Sequence, residues 1–227
     1  MKVRRVPPAA LARLPRYVES LKAMAAQGVE MASSQELARA TGMEASQIRK
    51  DLSYLGAFGT PGVGYDVKGL LRDMATFLGL SQTWPVALVG CGTLGSALAN
   101  YAGFGERNFR IVAVFDSNPE RVGGTIAGLP VQHLEQLPRV VREQGIRIAM
   151  VAVSAECVQE VAAVLTISDI KAVLNLAPRP LPVRPDVTVR NIDLAAEMQV
   201  LSFHEAMRRV SASAVALQRS SRGAPPL

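Results

Sequence analysis

Apolar residues recur at helical spacing near the start of the chain. Leu11, Leu14, Val18, Leu21 and Met24 follow the Pro7-Pro8 pair, and Gly28 stops the run. Pro15 falls inside the pattern, so a regular helix is predicted only from that residue on. Ser33-Ser34-Gln35-Glu36 then has capping-box spacing, with Ser33 as cap and Glu36 three residues on, and opens a short helix ended by Thr41-Gly42. A second helix is predicted over 45–55 after only a tight turn, and two short helices joined this closely make a helix-turn-helix. Its Ile48, Leu52 and Leu55 form an inward stripe, while Ser46, Gln47, Arg49, Lys50, Ser53 and Tyr54 fall largely on the outer side. The stretch AFGTPGVGYDV, with turn-formers Gly59, Pro61, Gly62 and Gly64 between apolar positions, reads as a β-hairpin, the wing of a winged helix. VKGLLRDMATFLGL closes the unit as an amphipathic helix.

Beyond Leu80 the pattern changes to short apolar runs alternating with helical ones, the signature of a parallel α/β sheet. Strands are expected at 85–89, 110–115, 146–153 and 171–178, with a strand and loop over 187–194. Helices are expected at 96–104, over 155–170 and from about Ser202 to Arg219. The expected fold is α/β: an N-terminal winged helix-turn-helix domain (1–80), a Rossmann domain with a mostly parallel sheet (81–201), a C-terminal helix (202–219) and a disordered tail, SSRGAPPL (220–227).

The outer face of the second short helix carries the chemistry of base reading. Gln and Arg can make bidentate contacts to base edges, while Lys, Ser and Tyr reach bases or phosphates. Asp51 is awkward beside phosphates and is expected to pair with a nearby Arg or Lys, or to accept from a cytosine amino group. Ser33 and Ser34 at the head of the preceding helix, with Gly62, Val63, Gly64 and Tyr65 of the wing, complete the candidate DNA-contacting set. Charge agrees: residues 1–80 hold 11 Lys/Arg against 7 Asp/Glu, net +4, whereas the rest holds 14 against 12, net +2. The expected partner is double-stranded DNA.

Pro85–Val89 enters Gly90-Cys91-Gly92-Thr93-Leu94-Gly95, and a helix follows, which is the setting that a GxGxxG phosphate turn requires. Gly90 permits the turn, Gly92 lets the backbone approach a pyrophosphate, and Gly95 lets helix and strand pack closely. Cys91, Thr93 and Leu94 belong to the same turn, whose amides would hold phosphate. The next strand ends in Asp116, twenty-one residues beyond Gly95, where a carboxylate accepts from ribose hydroxyls. A 2′-phosphate would meet that charge, so NAD(H) is expected over NADP(H), with Arg121 the base nearest to soften the preference. For Cys91 the reading as a small filler is favoured over an oxidisable thiol activated by helix-start amides.

The two cysteines, Cys91 and Cys157, are isolated and make no metal-type cluster with His133 and His204. No apolar run approaches the roughly 20 residues of a membrane span, and the opening stretch lacks a signal-peptide core. Neither a metal nor a membrane is expected, and a reducing cytoplasm fits.

The stretch SQIRKDLSYLGAFGTPGVGY, together with VALVGCGTLGSALANY, the Phe115-Asp116 pair and LNLAP, closely resembles the Rex family of redox-sensing transcriptional repressors, and the resemblance spans nearly the whole chain. It implies a homodimer that binds an inverted-repeat operator through its winged helices and exchanges its C-terminal helix between subunits. NADH binding to the Rossmann domains would close the dimer and release the operator. By position, Arg49, Lys50 and Tyr54 match the recognition helix, Gly62, Val63 and Gly64 the wing, and Gly90, Gly92, Gly95 and Asp116 the cofactor motif. Tyr101 and Asp193 match switching residues near the nicotinamide, with Leu194 beside them. Three positions depart from the pattern: Leu194 stands where relatives carry Phe, Glu19 where an Arg meets the switching Asp, and Pro61 where a basic wing residue is usual. They imply a divergent member, with an altered redox response as the alternative to NADH-driven release.

Two other function classes compete. An NAD-dependent oxidoreductase needs an acid–base group at the hydride site, but the sequence has no Ser–Tyr–Lys set and no His paired with a carboxylate. About 110 residues follow Asp116, which leaves little room for a substrate domain. No enzymatic activity and no catalytic residue are therefore expected. A nucleotide-regulated module whose winged helix binds protein would lack steep salt dependence and duplex preference.

Overall fold

The computed structural model describes residues 6–56 and 59–221, with side chains to 209. Ala57 and Phe58 of the expected wing, and residues 222–227 of the expected tail, lie outside the described residues. The chain divides into two compact units, Met1–Thr83 and Trp84–Leu227.

In the first unit α1 (Pro8–Ala26) runs as one helix with Pro15 inside it. Pro8 at its head loses no intrahelical bond, and the helix is held on both sides of Pro15 by buried Ala10, Leu14, Tyr17, Val18 and Leu21. That burial, at roughly 1.5–3 kcal/mol for each large side chain, outweighs the hydrogen bond missing at Pro15, so the helix begins earlier than its pattern predicts. β1 (Met31–Ala32) follows, then α2 (Ser34–Thr41) and α3 (Ala45–Tyr54). The capping box at Ser33 forms as expected, with the Glu36 amide donating to Ser33 Oγ and the Ser33 amide donating to the Glu36 carboxylate. Gly42, left-handed at φ 69°, ends α2. Leu37, Ile48 and Leu52 close a core against α1 and α4 (Val67–Phe77).

The wing differs from the hairpin expected over AFGTPGVGYDV. Thr60 and Gly64 exchange backbone bonds at 2.8 and 2.9 Å as an isolated bridge around the Pro61-Gly62 turn. The return strand, β2 (Tyr65–Asp66), pairs antiparallel with β1 instead. A two-residue strand such as β1 has no detectable alternation of its own, so only the pairing reveals it. Gly64 sits at φ +105°, and a Cβ there would lie 2.5 Å from the Ala32 carbonyl oxygen. Only glycine passes β1 this closely.

In the second unit β3 (Trp84–Val89), α5 (Thr93–Ala99), a 3₁₀ turn (Ala102–Arg107) and β4 (Phe109–Asp116) are followed by β5 (Thr125–Ile126), β6 (Leu129–His133) and α6 (Leu137–Glu143). Then come β7 (Ile148–Val151), α7 (Val158–Thr166), β8 (Ala172–Asn175), β9 (Thr188–Asn191) and α8 (Leu194–Ser221). The sheet order is β5-β6-β4-β3-β7-β8-β9, parallel except for β5. Successive strands therefore leave β3 first to one side and then to the other. The resulting switch point between β3 and β7 is where open α/β sheets bind ligands. Central strands are buried on both faces, which explains their continuous apolar runs.

The sequence pattern does not resolve β5, β6 and α6: the two strands are short, Gly128 lies in the turn between them and Pro130 lies within β6. The last helix is also longer than expected. It starts at Leu194 rather than Ser202, because the Asp193 carboxylate accepts from the Ala195 and Ala196 amides at 2.9 and 3.1 Å and caps it. Its backbone continues through Ser220 and Ser221, into the expected tail.

Candidate functional site

The candidate DNA-contacting residues gather on α3, the head of α2 and the wing. Arg49 is exposed on α3, and its guanidinium donates to Ser34 Oγ on α2 at 2.9 Å. Two residues fifteen positions apart thus meet on one face. Ser46 and Lys50 are exposed and Tyr54 is half-buried. Ser53 folds its hydroxyl back onto the Lys50 carbonyl at 2.7 Å, and Ser33 is engaged in its cap. Val63 is exposed at the wing tip between Gly62 and Gly64, whereas the Tyr65 ring turns into the core and packs under Gly59. Burial raises the Tyr65 phenol pKa, opposed by the nearby Arg49 charge. Tyr65 therefore supports the wing from beneath and does not point outward.

Asp51 points inward from α3 and is fully buried. Its carboxylate accepts from Arg13 Nε and Nη2 at 2.7 and 2.8 Å, from the Tyr17 hydroxyl at 2.7 Å and from Gln47 Nε2 at 2.8 Å. Burial pushes the Asp51 carboxyl upward, but these hydrogen bonds outweigh it and hold the group below the usual carboxylate range. Burial, with the neighbouring carboxylate, drives the Tyr17 phenol up to about 12. The expected basic partner of Asp51 thus comes from α1, 38 positions away, a pairing with no local signature.

At the switch point the glycine turn 90–95 forms between β3 and α5. Gly90 adopts φ +97°, and Gly92 caps the short helix α5. A Cβ on Gly92 would meet nothing within 4 Å, so space is open where a pyrophosphate would approach, and this fits a dinucleotide. A Cβ on Gly95 would run into the Gly90 carbonyl, so only glycine lets α5 seat against the turn. A cleft of about 210 Å³ is lined by Gly90, Gly92, Asp116, Arg121, Ser154 and Cys157 among others. Asp116 is nearly buried and accepts from the Cys91 amide at 2.7 Å, from the Asn118 amide at 2.8 Å and from Arg121 at 3.3 Å. Burial acts to raise its pKa, and these donors bring it below the usual range, so it is anionic at neutral pH.

Cys91 is buried, and burial together with the Asp116 charge pushes its thiol up to about 12. Its burial fits the reading of a small filler. Alkylation at pH 7.5 is therefore expected to modify half-buried Cys157 first, with Cys91 reacting only on denaturation, as peptide mapping would register. Rapid labelling of Cys91 would contradict its placement. Tyr101 is exposed and meets Phe104 edge-on at 5.1 Å, while Leu194 is exposed beside the capping Asp193. Among the described residues, no group of three metal-ligating side chains occurs and no helix is long and apolar enough to cross a membrane.

Family models match each unit: "Putative DNA-binding protein N-terminus" over residues 5–53 and "CoA binding domain" over residues 81–179. The redox-sensing transcriptional repressor Rex of Streptomyces coelicolor is 45% identical over 202 residues, covering 89% of this chain and 78% of the relative. The chain belongs to the Rex family. A Rex from a Roseiflexus species is 46% identical over 198 residues, covering 87% of this chain and 90% of the relative. Among solved structures, RSP in complex with β-NAD⁺ and operator DNA has a TM-score of 0.83 at 32% identity, covering 96% of this chain and 99% of that one. RSP in complex with β-NADH has a TM-score of 0.81 at 31% identity, covering 92% and 98%. A Rex-family repressor thus shares the fold of both units, in structures containing either redox form of the dinucleotide.

Proposed function

We infer that this chain is a DNA-binding transcriptional repressor that senses the balance of NADH and NAD⁺, with NADH as the form that releases it from its operator. The observation that carries this reading is the phosphate turn with anionic Asp116 at a switch point, in a chain whose other unit presents a polar helix over a helix-turn-helix. When bound, the dinucleotide supplies a pyrophosphate, ribose hydroxyls and a ring that is charged in only one redox state. The first-turn amides at Gly92–Leu94 would hold the pyrophosphate, and Asp116 would accept from the ribose hydroxyls. A phosphate on that ribose, as in NADP or coenzyme A, would face the Asp116 charge and be repelled. An apolar surround favours the neutral reduced ring over the cationic one. The protein is not an enzyme on this reading.

The working form is a cytoplasmic homodimer on an inverted repeat, each subunit exchanging α8. Leu194, Met198 and Leu201, spaced by four and three along α8, are all exposed in the single chain, giving the exchanged helix an apolar face to bury. Ser46, Gln47, Arg49, Lys50 and Tyr54 contact the major groove, and Gly62–Gly64 approach the minor groove. A second reading, an NAD(H)-binding regulator with an altered redox response, is favoured by Leu194 and Glu19, which replace an aromatic and a basic side chain expected near the nicotinamide.

Titrating a protein–operator complex with NADH at fixed NAD⁺ tests both units and their coupling. Dissociation by NADH is the expected result. Dinucleotide binding without dissociation would favour the second reading, and no binding would end both. Asp116→Ala is expected to weaken NADH binding about 10- to 150-fold, from the loss of charged hydrogen bonds to the ribose of roughly 1.5–3 kcal/mol. Unchanged affinity by fluorescence titration would mean that the ribose is held elsewhere.

A further inference from the structure

The network around Asp51 does more than join two helices. An ionised carboxylate only accepts hydrogen bonds, and all four donors around Asp51 are accounted for: two guanidinium nitrogens of Arg13, the Tyr17 hydroxyl and Gln47 Nε2. Gln47 therefore turns its NH₂ group, never its oxygen, toward Asp51. The carboxamide cannot flip without setting its carbonyl against a buried anion. One Nε2 hydrogen and the Oε1 atom remain for a partner outside. That adjacent donor–acceptor pair matches adenine, which offers N7 as acceptor and N6 as donor in the major groove.

We propose that Asp51, anchored by Arg13 and Tyr17, locks Gln47 in the orientation that reads an adenine, so that the α1–α3 network is a specificity determinant of the operator. The proposal rests on the reading above that α3 enters the major groove. Arg13, Tyr17 and Asp51 are positioning residues: Asp51 is fully buried, Tyr17 is 2% exposed, and neither is open to a duplex. The connection explains why a carboxylate is tolerated in a helix meant for a polyanion. Arg13 and Tyr17 draw it to the inner side, where its charge is neutralised and only its effect on Gln47 reaches outward.

The test starts with the full-length wild-type protein selecting a duplex from a pool of randomised inverted repeats. Every single-base substitution of that duplex is then titrated with wild type, Gln47→Ala, Asp51→Asn and Tyr17→Phe. Gln47→Ala is expected to erase about tenfold discrimination for adenine at one position in each half-site. Asp51→Asn and Tyr17→Phe are expected to flatten preference at those same positions. Binding to an unrelated duplex should stay within about threefold, with an unchanged salt slope. Tyr17→Phe removes a single hydroxyl and decides the matter if Asp51→Asn fails to fold.

Folded variants that keep full adenine preference would overturn the proposal. So would losses that are uniform across all positions and equal on unrelated DNA, since those describe a purely structural network. A Gln47→Ala protein with no altered position would overturn it as well. If the wild type enriches no duplex, the functional reading itself fails and this proposal falls with it. A selective wild type with unaltered variants defeats the proposal alone.

Discussion

Gly95→Ala is expected to abolish measurable NADH binding while leaving operator binding intact, which on the proposed reading makes the repressor unresponsive to its ligand. The new Cβ would overlap the carbonyl oxygen of Gly90 and come within 2.9 Å of its carbonyl carbon. Both are backbone atoms of the phosphate turn itself, so no side chain can rotate away to make room. The helix α5 must lift from the turn, carrying with it the first-turn amides proposed above to hold the pyrophosphate. Displacing that set by even half an ångström breaks several charge-assisted hydrogen bonds together, and a loss of at least about 100-fold in affinity follows. The N-terminal unit has its own core and its own hydrogen bonds, so its DNA binding does not depend on this turn. Fluorescence titration with NADH and gel-shift titration with operator read the two effects separately. NADH affinity within tenfold of wild type would mean that the turn does not hold the phosphates.

Arg49→Ala should produce the second large effect, a loss of specific DNA binding that exceeds the non-specific loss. Arg49 is exposed on α3 and pre-ordered by Ser34, whose hydroxyl fixes one end of the guanidinium fork and leaves the remaining donors outward. A bidentate contact to a base edge is worth roughly 1–3 kcal/mol, so operator affinity should fall about 5- to 150-fold. Binding to an unrelated duplex should fall less than about threefold. Equal losses on both, with the salt slope reduced by about one, would identify Arg49 as a phosphate contact instead. Thermal stability should change little, because surface substitutions of this kind stay within about 0.5 kcal/mol. The comparison therefore separates recognition from folding without further controls.

Cys91 and Asp116 illustrate how far motif chemistry carries and where it stops. The spacing from Gly95 to Asp116 is enough to assign the carboxylate to the tip of a neighbouring strand. It does not disclose that the same carboxylate already accepts from the Cys91 amide, tying strand tip to phosphate turn. Nor does it tell whether helix-start amides or burial governs the Cys91 thiol, and burial wins. Both outcomes depend on how completely water is excluded from a crevice built by strands far apart in the chain.

What the order of residues determined alone was everything that local physics writes locally. The capping box at Ser33, the inward stripe of α3, the GxGxxG turn and the alternation of a doubly wound sheet each arise from residues within a turn or two of one another. Tertiary structure decided what depends on distant partners. It showed α1 continuing through Pro15, β1 appearing only because β2 pairs with it, and α8 starting at its Asp193 cap. It also chose Arg13, 38 positions away, as the counterion that turns Asp51 inward and fixes the face that Gln47 presents. The reason is common to all of these. The free energy of a buried charge, a two-residue strand or a proline within a helix is set by the groups that replace water around it, and packing brings those groups from elsewhere in the chain.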